Sequence, residues 1–301
     1  MTNRISLSAI VLLCSAAWAQ QVSTAPANQP VATGAATAPS SAPTTAPAAT
    51  ASAPSTATSP TGAAQDLTKA ADKAALAVLE RLELAGQKTP IMVADLEFHV
   101  DMLQTGDTEE RGGKVYAHMA QGDQPTRFRI HFDWIRQGKG GKLAAVEDFV
   151  FDGEWFTVRK DKIKQMIKYQ VAPPGKAVNP LEIGKGPFLF PFGQKADQVV
   201  RFFVPKLVPP AAGDPPDTDH IRLDLRPARK EEMSVVWLEM WVDKQGLPVK
   251  IKAEDKSENV TTVQFKNVQT PEKLPADTFV LPVPAREWEY RVEPFRGQIQ
   301  R

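Results

Sequence analysis

The stretch Arg127-Phe128-Arg129-Ile130-His131-Phe132-Asp133-Trp134 decides the fold class. Side chains alternate between the two faces of an extended strand, so Phe128, Ile130, Phe132 and Trp134 fall on one face and Arg127, Arg129, His131 and Asp133 on the other. That is a half-buried strand, apolar inward and charged outward, the pattern of antiparallel sheet. It recurs upstream in Ala94 to Met102, where Leu96, Phe98, Val100 and Met102 oppose Glu97, His99 and Asp101. Lys114 to Met119 is another run, followed by the turn Gln121-Gly122-Asp123. Downstream, Asp152-Gly153 separates Phe149-Val150-Phe151 from Trp155-Phe156-Thr157-Val158, a two-residue hairpin signal. A turn that tight sets Phe149, Phe151, Phe156 and Val158 on one face. Ile163, Ile167 and Tyr169 are expected to extend it, with Lys162, Lys164 and Lys168 outward as a solvated strand face rather than an anion site.

Helices flank the strands. Asp66 to Leu84 carries Leu67, Ala71, Ala74, Leu76, Val78, Leu79 and Leu82 at helical spacing, with Asp66 as N-cap and Gly86 as terminator. Residues 172–194 interrupt the meander with the cluster Phe188-Leu189-Phe190-Pro191-Phe192, and Lys195 to Val204 predicts a short helix presenting Val199, Val200, Phe202 and Phe203. A proline-rich loop is expected over 205–218. Strands resume at His220 to Leu225, Ser234 to Asp243, Pro248 to Glu254 and Val260 to Val268; Pro275-Ala276-Asp277-Thr278-Phe279 then leads into a last strand. The fold class is therefore mainly β with helices. Such a sheet can curl around a cavity or press flat on its helices, and periodicity does not choose between them.

The chain opens with Arg4, the apolar stretch Ile5 to Ala17 and the site Ala17-Trp18-Ala19, which reads as a secretory signal peptide over 1–19 cleaved after Ala19. Leu13 before Cys14 argues against lipidation there; without cleavage the protein would be membrane-tethered. Cys14 is the one cysteine, so processing leaves no thiol for disulfides or metal binding. Residues 20–65, rich in Ala, Pro, Thr and Ser and uncharged, cannot bury enough apolar surface to offset ordering, and are expected to be a disordered tether. Residues 66–284 form the expected domain and 285–301 a polar tail. The formal charge of +1 includes Arg4 and suggests no nucleic-acid partner.

No enzyme is expected. His99, His118, His131 and His220 each sit alone in a strand pattern, leaving a metal site only if the first three converge across strands. Asp152 belongs to its turn, with Glu154 directly after it, and Gly184-Lys185-Gly186 lacks a dinucleotide-binding setting. No cofactor is implied.

Taken in order, the signal peptide, the N-terminal helix, Ala94-Asp95-Leu96-Glu97-Phe98, Arg127-Phe128-Arg129-Ile130, Phe151-Asp152-Gly153-Glu154-Trp155, Asp243-Lys244-Gln245-Gly246-Leu247-Pro248 and Pro275-Ala276-Asp277-Thr278-Phe279 resemble the periplasmic lipoprotein carrier family, LolA and its relatives. The resemblance runs from about Asp66 to Pro284. It implies an unclosed antiparallel half-barrel whose helices form a lid over an apolar cavity for acyl chains. On this sequence the cavity would be Phe98, Phe128, Ile130, Phe132, Trp134, Phe149, Phe151 and Phe156, and the lid Phe188, Phe190, Phe192, Phe202 and Phe203. The implied partners are lipidated proteins or lipid, an inner-membrane donor and an outer-membrane acceptor, with a monomeric periplasmic shuttle between them. The alternative is a non-catalytic binding or sensor module on the same fold, with a filled core and a protein partner. In the carrier family an arginine that latches the lid precedes the residue matching Phe128; here Gly122-Asp123-Gln124-Pro125-Thr126 has none, so the latch is missing or replaced by Arg127. The aromatic usual after the hairpin falls on Thr157.

Overall fold

The computed structural model describes residues 72–122, 124–171 and 193–295. The expected signal peptide, tether and Asp66 cap, and lid residues Phe188, Phe190 and Phe192, lie outside them.

Helix α1 (Lys73–Lys88) starts at Asp72, whose carboxylate accepts from the Ala74 N–H at 2.8 Å, and buries Ala75, Val78, Leu79, Leu82 and Ala85 along one stripe. Gly86 does not end it. The helix closes at Thr89, whose backbone N–H and hydroxyl both donate to the Ala85 carbonyl, at 2.9 and 2.7 Å. Gly86 instead permits close approach, because a Cβ there would come within 2.5 Å of Gly193 Cα.

The strands are β1 (Ile91–Met102), β2 (Asp107–His118), β3 (Arg127–Gln137), β4 (Leu143–Phe151), β5 (Trp155–Lys160) and β6 (Gln165–Gln170). Then come α2 (Ala196–Phe202), β7 (Phe203–Val208), β8 (Asp219–Leu225), β9 (Val235–Val242), β10 (Pro248–Asp255), β11 (Asn259–Gln269) and β12 (Glu289–Glu293). They form one twelve-stranded sheet in the order β12-β6-β5-β4-β3-β2-β1-β11-β10-β9-β8-β7. Every neighbouring pair is antiparallel except β12 with β6, which is parallel. The two ends, β12 and β7, do not pair, so the sheet is unclosed. One face and the apolar stripes of α1 and α2 make a single hydrophobic cluster. On the outer face the C-terminal segment crosses β3 and β5: the Thr278 carbonyl accepts from Arg129, Phe279 lies 5.2 Å from the Arg127 guanidinium, and Trp288 lies 4.9 Å from that of Arg159.

The structure shifts several expected boundaries. The hairpin turns on Gly153-Glu154, since the Asp152 N–H donates to the Trp155 carbonyl and Phe151 pairs with Phe156. The Asp152 carboxylate accepts from the N–H groups of Glu154 and Trp155, which favours that placement. Re-pairing by two residues leaves side-chain parity unchanged, so Phe149, Phe151, Phe156 and Val158 still share a face. Ile163 leaves that face for a one-turn 3-10 helix, where it is exposed. The stretch expected as a loop from 205 starts inside β7, and Pro205 is tolerated because β7 is an edge strand. The last strand, β12, comes ten residues after Phe279, where a polar tail was expected.

Hydrogen bonds from the N–H groups of Ala74 and Leu207 hold the Asp72 carboxyl below its ordinary range. Such a carboxylate stabilises the fold at neutral pH, and its contribution disappears as pH falls through the lowered value. Asp72→Ala is therefore expected to lower the thermal midpoint at pH 7, by a margin that narrows below about pH 4, in denaturation scans across a pH series.

Candidate functional site: the apolar face and its polar end

Pairing in β1 to β5 brings seven of the eight expected cavity residues together. Phe98, Phe128, Ile130, Phe132, Phe149, Phe151 and Phe156 are all buried in the one cluster. Phe132 meets Phe98 and Phe149 edge to face, at centroid separations of 6.0 and 6.1 Å, while Phe128 lies 5.9 Å from Phe151 and 6.3 Å from Phe156. Phe98 and Phe132 are on strands separated by β2. They touch because β2 sets Gly113 opposite Phe132, leaving no side chain between the rings.

Trp134 is the exception. Gly113 pairs with Phe132 and Gly112 with Trp134, so Asp133 is an extra residue in β3, a bulge that inverts the alternation. Trp134 consequently stands on the outer face, against Gly112 and under the Lys142 ammonium, 3.8 Å from its ring centroid. Among the lid residues, Phe203 is not helical but begins β7 and is buried in the core; Phe202, at the end of α2, packs partly against the core and under Arg229. Arg127 points to the outer face, where its guanidinium lies against Phe279.

A polar cluster on the same face escaped the sequence reading. Arg111, 5% exposed, donates to Glu109, 4% exposed, at 2.8 Å and also to Glu147, and its guanidinium lies 5.5 Å from the Phe132 centroid. The cluster occupies one end of the apolar face, because Arg111 pairs with Phe98 and Glu109 with Val100. Val100 also pairs with Thr261, whose buried hydroxyl has no hydrogen-bond partner among the described residues. Reading β2 from Asp107 would have exposed the pattern: Glu109, Arg111, Gly113, Val115 and Ala117 alternate onto one face. Ionised groups this dry persist only when paired, and removing one partner strands the other.

The histidines do not converge. His99 pairs with Glu110 and His131 with Lys114, while His118 closes β2, so their rows are four residues apart, roughly 13 Å each. His99 contacts Asp101, and His131 contacts Asp148 and Asp133. Among the described residues no group of three or more His, Cys, Asp or Glu side chains is placed to hold a metal ion. His220 stacks on Trp241 at 4.1 Å, with Nδ1 3.6 Å from Asp214 and Nε2 4.0 Å from Glu239. Burial holds its pKa below the ordinary histidine value, against the pull of Glu239 and Asp214.

No protein-family model matches the chain, and no curated protein matches it in sequence. Among solved structures, the chain is similar to an uncharacterized conserved protein from Thermus thermophilus, at 12% identity over 73% of this chain and 100% of the other, with a TM-score of 0.43. It is similar to the lipoprotein LppX from Mycobacterium tuberculosis at 10% identity, covering 68% of this chain and 100% of the other with a TM-score of 0.41. It is also similar to a LolA superfamily protein from Nitrosomonas europaea at 11% identity, covering 69% and 97% with a TM-score of 0.31.

Phe132→Ala removes a ring at the centre of the cluster and is expected to cost about 3–5 kcal/mol in chemical denaturation, whereas Trp134→Ala, on the outer face, should cost well under half of that. For His220 the unfolded chain takes up the proton first, so stability falls as pH drops below about 6.5. Replacing it by Phe should flatten that slope between pH 7 and 5, as read from thermal midpoints.

Proposed function

We propose that this chain is an exported, non-catalytic carrier that receives the acyl chains of lipidated proteins, or another lipid, on the core face of its sheet. It takes them from an inner-membrane donor and passes them to an outer-membrane acceptor. The observation that carries this reading is the continuous apolar face from Phe98 to Phe156 on a sheet whose ends do not meet, joined in one cluster with the apolar stripes of α1 and α2. A helical cover can shift without breaking a strand ladder, and each acyl methylene buried beneath it is worth about 0.8 kcal/mol. Burial alone therefore supplies affinity, and release needs a partner that offers a better apolar site. The signal-peptide reading of residues 1–19 supports a periplasmic address.

A second reading rests on the ring contacts. Phe98, Phe132 and Phe149, and likewise Phe128, Phe151 and Phe156, already touch one another, which favours a filled core in a binding or sensor module with a protein partner.

Native mass spectrometry of the purified protein separates the two. The carrier is expected to retain lipid-sized adducts, and Ile130→Phe, which fills the apolar face, should reduce them while the circular dichroism spectrum stays native. Wild-type protein that is free of adducts and takes up no added fatty acid would leave only the filled-core reading.

A further inference from the structure

The two ends of the sheet are finished differently. At β7 the outward backbone groups are occupied: Pro205 has no N–H, its carbonyl accepts from the Asp72 N–H at 3.2 Å, and the Leu207 N–H donates to the Asp72 carboxylate at 3.1 Å. At β12, the Glu289 N–H donates to the Lys164 carbonyl at 2.8 Å. Backbone groups alternate in direction along a strand, so Glu289, Arg291 and Glu293 address β6, while the N–H and carbonyl groups of Tyr290 and Val292 point away from the sheet. Among the described residues no strand pairs with that side. Tyr290 and Val292 are 40% and 48% exposed. An edge left in this state is a template for another strand.

The side chains select which strand. Tyr290 and Val292 lie beside Met166 and Lys168 on the outer face, and Glu289, Arg291 and Glu293 lie beside Gln165, Ile167 and Tyr169 on the other. We propose that β12 pairs antiparallel with β12 of a second copy of this chain, with Tyr290 opposite Tyr290. In that register Glu289 of each copy stands opposite Arg291 of the other, and the two tyrosines meet across the two-fold axis. The register one step along, with Arg291 opposite Arg291, sets guanidinium against guanidinium and Glu289 against Glu293, and like charges directly opposite are unfavourable. A five-residue strand buries much less than the roughly 800 Å² per partner of a standard interface, so the dimer is weak and concentration-dependent. This differs from the monomer expected from sequence, where an open edge has no signature, and it does not depend on the carrier reading.

Light scattering coupled to size exclusion over a concentration series tests it, with Val292→Pro and Tyr290→Cys as variants. The wild type is expected to move from monomer mass toward dimer mass as concentration rises. Val292→Pro removes an outward N–H and leaves the β6 ladder intact, so it should stay monomeric with an unchanged circular dichroism spectrum. Tyr290→Cys should form a disulfide-linked dimer under mild oxidation, since the residues opposite one another bring their Cβ atoms within about 5.5 Å. A wild type that is monomeric throughout, a dimer indifferent to Val292→Pro, or a Tyr290→Cys protein that does not cross-link would each overturn the proposal.

Discussion

Phe98 and Phe132 meet edge to face across a strand that puts no side chain between them, and much of the structure depends on that contact. It requires Gly113 on β2, where an added Cβ would fall 1.9 Å from the His131 carbonyl oxygen. It also coincides with the Asp133 bulge, which ends the apolar run of β3 and turns Trp134 outward. Beyond the bulge the face changes character. Arg111 lies over the Phe132 ring, and its two carboxylate partners neutralise it where water is scarce. The apolar face is thus bounded at one end by paired charge and runs on into one cluster with the stripes of α1 and α2.

The outer face follows another logic. Its charged side chains pair across strands, as Arg129 and His131 do with Asp148 and Arg222 does with Glu239, and several cations lie over tryptophan rings. The segment around Thr278 and Phe279 straps this surface at β3. Asp72 joins the two systems by capping α1 and closing the β7 edge with one carboxylate. Nothing comparable closes β12 among the described residues.

The strand whose polar residues face outward is legible in the sequence: β3 up to Phe132 can be placed because charge and burial alternate strictly, and the β4–β5 hairpin keeps its expected faces although its turn lies one residue further on. The first half of β2 is not legible in this way. Glu109 and Arg111 are charged yet buried, and charge in a linear reading signals solvent. Alternation puts Trp134 on the apolar face because a bulge has no signature beyond one residue too many. In the sequence Gly86 marks a helix end and Pro205 the start of a proline-rich loop, whereas one permits a close approach and the other occupies an edge; both roles depend on tertiary neighbours. Phe203 fits a helix in the sequence because its spacing from Val199 and Val200 suits a helical period as well as the start of a strand.

In the proposed carrier, acyl chains lie on the core face of this sheet. Photo-crosslinking with a fatty acid that carries a diazirine near its methyl end, followed by peptide mapping, tests it most directly. Label is expected on β1, β3 and β4 at Phe98, Ile130, Phe132 or Phe149. Label confined to the outer face, at Trp134 or at the exposed Val280 and Val283, would contradict it.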